Sequence, residues 1–178
     1  MKSSIVLLGY MGCGKTKVGK NLSKKIGAKF IDLDIEIELF YEKSISQMFQ
    51  EIGEIEFRKI ERKMLLNVLN KNDFFVLSLG GGTPCYFDNM ELINKKTNLS
   101  FFLNLDANLL ADRLYTRKSK RPLLKSIKDK KEMLSFVKKH LFERNVYYSK
   151  ANYIIKSSKK DIKKILDKIL NVLKENSS

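Results

Sequence analysis

Short apolar runs at residues 4–8, 30–33, 74–79, 99–105 and 153–155 alternate with longer stretches in which apolar side chains recur every three or four positions. The runs read as strands and the periodic stretches as amphipathic helices. Helices are predicted from about residue 15, from about 35, over 44–52 and 53–69, over 107–115, from a capping pair at Asp129 and Glu132 through 147, and over 161–173. In the last, Ile162, Ile165, Leu166, Ile169, Leu170 and Leu173 share one face, which marks a scaffold helix. Strand–helix alternation builds βαβ units, so the expected fold is α/β, a parallel sheet covered by helices on both faces. No repeat, linker or compositional shift divides residues 1–178, and a single domain is expected. In such sheets ligands bind beyond the carboxyl ends of the strands, where the chemistry is sought first.

The first strand runs directly into Gly9-Tyr10-Met11-Gly12-Cys13-Gly14-Lys15-Thr16, a G-x-x-x-x-G-K-[ST] phosphate loop with a strand before it and a helix after it. Gly9 and Gly14 let the backbone curl so that successive N–H groups converge on phosphate oxygens. The helix start adds its positive end, Lys15 can reach the β- and γ-phosphates, and the Thr16 hydroxyl is placed to ligate Mg²⁺. Cys13 contributes backbone rather than thiol chemistry. The second strand ends in Asp32-Leu33-Asp34; two extended residues two apart share a face, so both carboxylates would point into the mouth. One would hold Mg²⁺ through water and the other accept a hydroxyl proton, unless the pair only caps the next helix.

In residues 53–69, Ile55, Arg58, Arg62, Leu65 and Leu69 recur at helical spacing, which sets Arg58 in an apolar stripe. A buried guanidinium needs an anion, either Glu61 one turn on or the carboxylate of a substrate. Asn70-Lys71-Asn72-Asp73 spells a guanine-recognition motif but precedes a strand, so it reads as a turn. At the third strand's end Gly80-Gly81-Gly82 strips side chains from one wall, leaving backbone N–H groups for a polar small molecule, or else makes a strained turn. Residues 116–126 hold a basic, non-periodic segment with Arg117, Lys118, Lys120 and Arg121, either a solvated loop or a mobile lid. On the helix after it Met133, Phe136, Val137, His140, Leu141 and Arg144 share a face, which turns Arg144 inward and makes His140 a packing residue.

Composition narrows the classes. A 178-residue chain with 43% apolar residues suits one globular core. No run resembles a membrane span or signal peptide, and a cytoplasmic location is expected. Cys13, Cys85 and a single histidine offer neither a disulfide pattern nor a zinc cluster. The net charge of +15 raises the prospect of nucleic-acid binding. However, the lysines are spread over helix surfaces without interleaved aromatics, so the charge reads as a solubilising surface that also attracts anionic substrates.

Taken together, the phosphate loop, Asp32-Leu33-Asp34, Gly53 to Arg58 with Glu61, Leu79 to Gly82, Arg121-Pro122-Leu123-Leu124, and Arg144 with Tyr147-Tyr148 resemble shikimate kinases over nearly the whole chain. The resemblance implies a three-layer fold with a five-stranded parallel sheet in the order 2-3-1-4-5 and a mobile lid. It also implies phosphorylation of the shikimate 3-hydroxyl by ATP, with Mg²⁺, on the route to aromatic amino acids. In that reading Gly12, Cys13, Gly14, Lys15, Thr16 and Lys17 cradle ATP, Thr16 and Asp32 serve the metal, and Arg121 with Lys15 stabilises the moving phosphoryl group. Asp34 contacts the ring hydroxyls and assists deprotonation, Arg58 and Arg144 clamp the carboxylate, and Gly80, Gly81 and Gly82 line the ring. A monomer acting on ATP and shikimate, without nucleic acid or membrane, is implied. For adenine the candidates are Arg113, Arg117 and the segment near Lys156. The alternatives are a gluconate or nucleotide kinase of the same fold and, from another class, a nucleic-acid-binding NTPase.

Overall fold

Ile5–Leu8 forms the central strand β1, every residue of it buried, because both faces of this strand are covered. The structure is a computed structural model that describes residues 4–116, 118, 124, 126–157 and 161–176. The remaining strands are β2 (Lys29–Asp32), β3 (Phe75–Ser78), β4 (Ser100–Leu105) and β5 (Tyr153–Ser157). They pair in parallel in the order β2-β3-β1-β4-β5, with Ile5 opposite Val76 and Val6 opposite Ser100. This is the expected sheet. The carboxyl ends of β1, β2 and β3 thus lie side by side, which brings the phosphate loop, Asp32 and the triple glycine together.

Around the sheet run α1 (Lys15–Ile26), α2 (Leu33–Tyr41), α3 (Ile45–Leu69), α4 (Asn89–Lys96), α5 (Ala107–Tyr115), α6 (Lys130–Tyr148) and α7 (Ile162–Glu175). A Cβ on Gly19 would lie 2.4 Å from the Phe30 ring, so that glycine sets how closely α1 approaches β2. Ser44 starts α3 with a reciprocal capping box to Gln47. Gly53, at φ 75°, breaks α3 where two helices were expected. Past that break the buried positions are Phe57, Arg58, Glu61, Met64, Leu65, Val68 and Leu69, whereas Ile55 is 73% exposed and does not belong to the stripe. Asp129 caps α6 by accepting from the Glu132 N–H, but Glu132 reaches back to the Lys128 N–H rather than to Asp129. Helix α4 has no counterpart in the sequence expectations. Among the described residues no helix is long and apolar enough to cross a membrane.

Candidate active site

Between β1 and α1 the chain turns through Gly9, Gly12 and Gly14 at φ 139°, 80° and 100°, conformations that side-chain-bearing residues rarely adopt. Gly14 is the N-cap of α1 and has no side chain to satisfy the first N–H groups, which are left for an anion. Lys15 is buried and folds back over the loop, donating to the Gly9 carbonyl at 2.7 Å and the Tyr10 carbonyl at 3.2 Å. The Thr16 hydroxyl donates to Asp32 Oδ2 at 2.9 Å. Lys17 is exposed on the first turn, and Cys13 is a buried free thiol. Arg113 donates from α5 to the Gly12 carbonyl at 3.0 Å, which ties it to the loop backbone.

Asp32 closes β2 and Asp34 lies in the first turn of α2, so the two carboxylates do not share one face of a strand. The chain becomes helical at Leu33, whose side chain is buried in the core. Asp34 still faces the mouth: a Cβ on Gly80 would lie 2.6 Å from Asp34 Oδ1. Burial, and then the charges of Asp32 and Glu61, push the Asp34 carboxyl up to about 6, against the pull of Lys15 and Arg58. A carboxylate in that range is a competent base near neutral pH.

The Arg58–Glu61 pair expected from helical spacing is present. The Arg58 guanidinium is buried and pairs with Glu61 at 2.9 Å and Glu54 at 3.1 Å. The Tyr86 ring covers it at 4.3 Å, and Nε, also buried, has no hydrogen-bond partner among the described residues. One donor is therefore desolvated without compensation, which a ligand carboxylate would relieve. Glu61 is 1% exposed and also accepts the Thr83 hydroxyl at 2.6 Å, while Tyr86 donates to Glu54 at 2.7 Å. The Glu54 spacing of i, i+4 was a readable signal; Thr83 and Tyr86 arrive only through tertiary folding.

Close packing accounts for the triple glycine. A Cβ would lie 2.6 Å from Asp34 at Gly80, 3.2 Å from the Met11 amide at Gly81, and 2.5 Å from the Arg58 guanidinium at Gly82. Gly82→Ala is therefore expected to displace Arg58 and raise KM for the carboxylate substrate about tenfold, with ATP affinity little changed; steady-state kinetics varying each substrate checks this.

Arg144 lies half-buried on α6 with its guanidinium 5.6 Å from the Tyr10 ring centroid; the Tyr86 hydrogen bond first, then Arg58, and last the Arg144 charge hold the Glu54 carboxyl below its usual range. Tyr148, one turn on, donates to the Gly81 carbonyl at 2.5 Å. His140 packs against Phe136 and hydrogen-bonds Tyr10, as a packing residue should. A cavity of about 310 Å³ beyond the ends of β4 and β5 is lined by Asn104, Asp106, Lys156 and Ser157. Arg117 and Arg121 lie outside the described residues, as does most of the expected lid. Within that segment Lys118 donates to the Ile127 carbonyl at 2.9 Å and Leu124 is buried.

Among the described residues no three His, Cys, Asp or Glu side chains gather as a metal cluster. The Thr16–Asp32 pair nonetheless suits Mg²⁺, which takes one or two protein oxygens and completes its shell with water and substrate phosphates.

A phosphate loop on a 2-3-1-4-5 sheet, facing a buried carboxylate and two arginines, fits a kinase that phosphorylates a small anionic acceptor. The family model described as shikimate kinase matches residues 11–174. The chain is 44% identical to the shikimate kinase of Flavobacterium psychrophilum over 169 residues, 95% of this chain and 98% of that one. The crystal structure of shikimate kinase from Bacteroides thetaiotaomicron superposes with a TM-score of 0.86 at 36% identity, covering 98% of each chain. The solved structure of shikimate kinase from Acinetobacter baumannii in complex with shikimate gives a TM-score of 0.85 at 30% identity, covering 98% of this chain and 94% of that one. The chain belongs to the shikimate kinase family.

Proposed function

We propose that the chain transfers the γ-phosphoryl group of ATP to the 3-hydroxyl of shikimate, giving shikimate 3-phosphate and ADP. The observation that carries this is the buried Arg58 with its unpartnered Nε, set against a side-chain-free glycine wall that also faces Asp34. A carboxylate meeting that donor and the Arg144 guanidinium gains charged hydrogen bonds of about 1.5–3 kcal/mol each. The family relatives support the same acceptor, over a gluconate or nucleotide kinase.

In this reading the ring lies against Gly80, Gly81 and Gly82 with its carboxylate between Arg58 and Arg144. Its 3-hydroxyl gives its proton to Asp34 as its oxygen bonds the γ-phosphorus, and the bond to the β–γ bridging oxygen breaks with its electron pair leaving on ADP. The backbone of Gly12, Cys13 and Gly14 with Lys17 holds the phosphates, and Lys15 exchanges loop carbonyls for phosphate oxygens. Thr16 directly and Asp32 through water would hold Mg²⁺, which when bound offsets phosphate charge. Arg121 is assigned to the transferring group. The cavity beside Lys156 suits the adenine ring, whereas Arg113 serves the loop backbone. The remaining catalysis is positioning and electrostatic stabilisation. We place this enzyme in the cytoplasm as a monomer that needs neither nucleic acid nor membrane.

A coupled assay of ADP release with Mg-ATP tests the reading. Turnover should depend on shikimate, be weak or absent with gluconate or nucleoside monophosphates, and ignore added oligonucleotide. Folded protein that binds ATP yet shows no turnover with shikimate would overturn it.

A further inference from the structure

Three residues at i, i+4 and i+8 on α6, His140, Arg144 and Tyr148, share one face, and each reaches a different part of the site. The His140 Nδ1 and the Tyr10 hydroxyl hydrogen-bond at 3.0 Å, so α6 is tied to the phosphate loop. Tyr10 is 1% exposed, and its ring meets the His140 ring edge-on at 6.1 Å while Phe136 packs on the imidazole at 4.1 Å. One turn along, the Arg144 guanidinium sits 5.6 Å from the centroid of that same Tyr10 ring. One turn further, Tyr148 donates to Gly81 and its hydroxyl also meets Arg144.

Arg144 differs from Arg58 in what holds it. Two carboxylates pin Arg58, but among the described residues Arg144 has no carboxylate within ion-pair distance. Its orientation therefore depends on the face of Tyr10 and the hydroxyl of Tyr148. The buried Tyr10 ring is held by its packing and by its hydroxyl, which bonds His140.

We infer that His140 is a positioning residue for the acceptor clamp: through the Tyr10 hydroxyl it fixes the ring on which Arg144 rests, and so sets how tightly a carboxylate substrate binds. This rests on the proposed shikimate kinase activity. Either group can donate in this bond, the phenol to a bare Nδ1 or an Nδ1–H to the phenol oxygen, as the tautomer sets. Burial first, then the charges of Arg144 and Lys139, hold the His140 imidazole below its usual range, against the opposing pull of Glu143.

The test compares His140→Asn, whose amide can stand near Nδ1 and bond the Tyr10 hydroxyl in either direction, with His140→Leu, which packs but cannot. Tyr10→Phe removes the hydroxyl and keeps the ring, and serves if His140→Leu folds poorly. His140→Leu and Tyr10→Phe should each raise KM for shikimate about fivefold with less than a twofold rise in KM for ATP. His140→Asn should stay within twofold of the parent. On an Arg144→Ala background, His140→Leu should add nothing further to KM, since its effect acts through that guanidinium. An unchanged KM in His140→Leu and Tyr10→Phe, equal impairment of His140→Asn and His140→Leu, or full additivity with Arg144→Ala overturns the inference while leaving the activity standing. Absence of shikimate-dependent turnover in the parent enzyme overturns both.

Discussion

Asp34→Asn is expected to lower kcat with shikimate by about 10²–10⁴-fold, the range a positioned general base supplies, while ATP binding is retained. The same substitution should raise thermal stability at neutral pH. The Asp34 carboxyl rises from 3.8 to about 6 on folding, so the folded state holds its proton more tightly than the unfolded state does. Stability from this group is therefore fully present below about pH 4 and is lost as pH climbs through 6. Above that the ionised carboxylate costs up to about 3 kcal/mol, from its shift of roughly two units. Asparagine carries no charge and avoids that cost. The Tm of Asp34→Asn should exceed that of the parent at pH 7.5, with the gap closing toward pH 4. In the parent, kcat/KM should fall about tenfold per unit below pH 6, as the base takes up a proton before substrate binds. Activity within a few-fold of the parent, or a Tm gap independent of pH, would show that Asp34 is not the strained base described above.

Asp34 reaches the mouth from the first turn of a helix and not from the strand that its spacing predicts. Leu33 is apolar and extends the strand pattern by one residue, so nothing local marks the change to helix at that position. The carboxylates converge anyway, because the carboxyl end of β2 and the first turn of α2 occupy the same mouth. The central strands were legible because a strand covered on both faces reads as an uninterrupted apolar run. Strand order was not, since register is settled by helices crossing the sheet; it came from family resemblance. Ile55 misled because its spacing fits the stripe while the break at Gly53 turns the first residues of the new helix toward solvent. Helix α4 was missed because it is short and one of its buried residues is Asn89, whose amide donates to the Thr83 carbonyl. At the site, Arg58 with Glu61 was readable from spacing within one helix. The contacts that define its surroundings, Tyr86, Thr83 and Gly82, come from the segment after β3 and leave no periodic trace.

Arg58→Ala and Arg144→Ala should both weaken shikimate binding yet differ in what they do to the fold. In the proposed clamp each would contribute charged hydrogen bonds to the substrate carboxylate, so KM for shikimate should rise about 10–100-fold in either variant with KM for ATP nearly unchanged. Arg144 leaves no buried carboxylate behind, and Tyr148 keeps its bond to Gly81, so its loss should move Tm little. Arg58 leaves Glu61 at 1% exposure with, among the described residues, the Thr83 hydroxyl as its remaining hydrogen-bond donor. Breaking a buried pair from one side typically costs about 3–5 kcal/mol, which for a chain of this size lowers Tm by about 10 °C. Glu54 is spared, because it is half-exposed and keeps its bond from Tyr86. The double substitution Arg58→Met with Glu61→Gln removes the orphaned charge, fills the space with an apolar side chain and leaves Thr83 an amide oxygen to bond. It should recover most of the lost Tm and none of the shikimate affinity, which separates the stabilising pair from the binding clamp. Equal loss of ATP and shikimate affinity in Arg58→Ala, or return of affinity along with stability in the double variant, would place Arg58 in the scaffold alone.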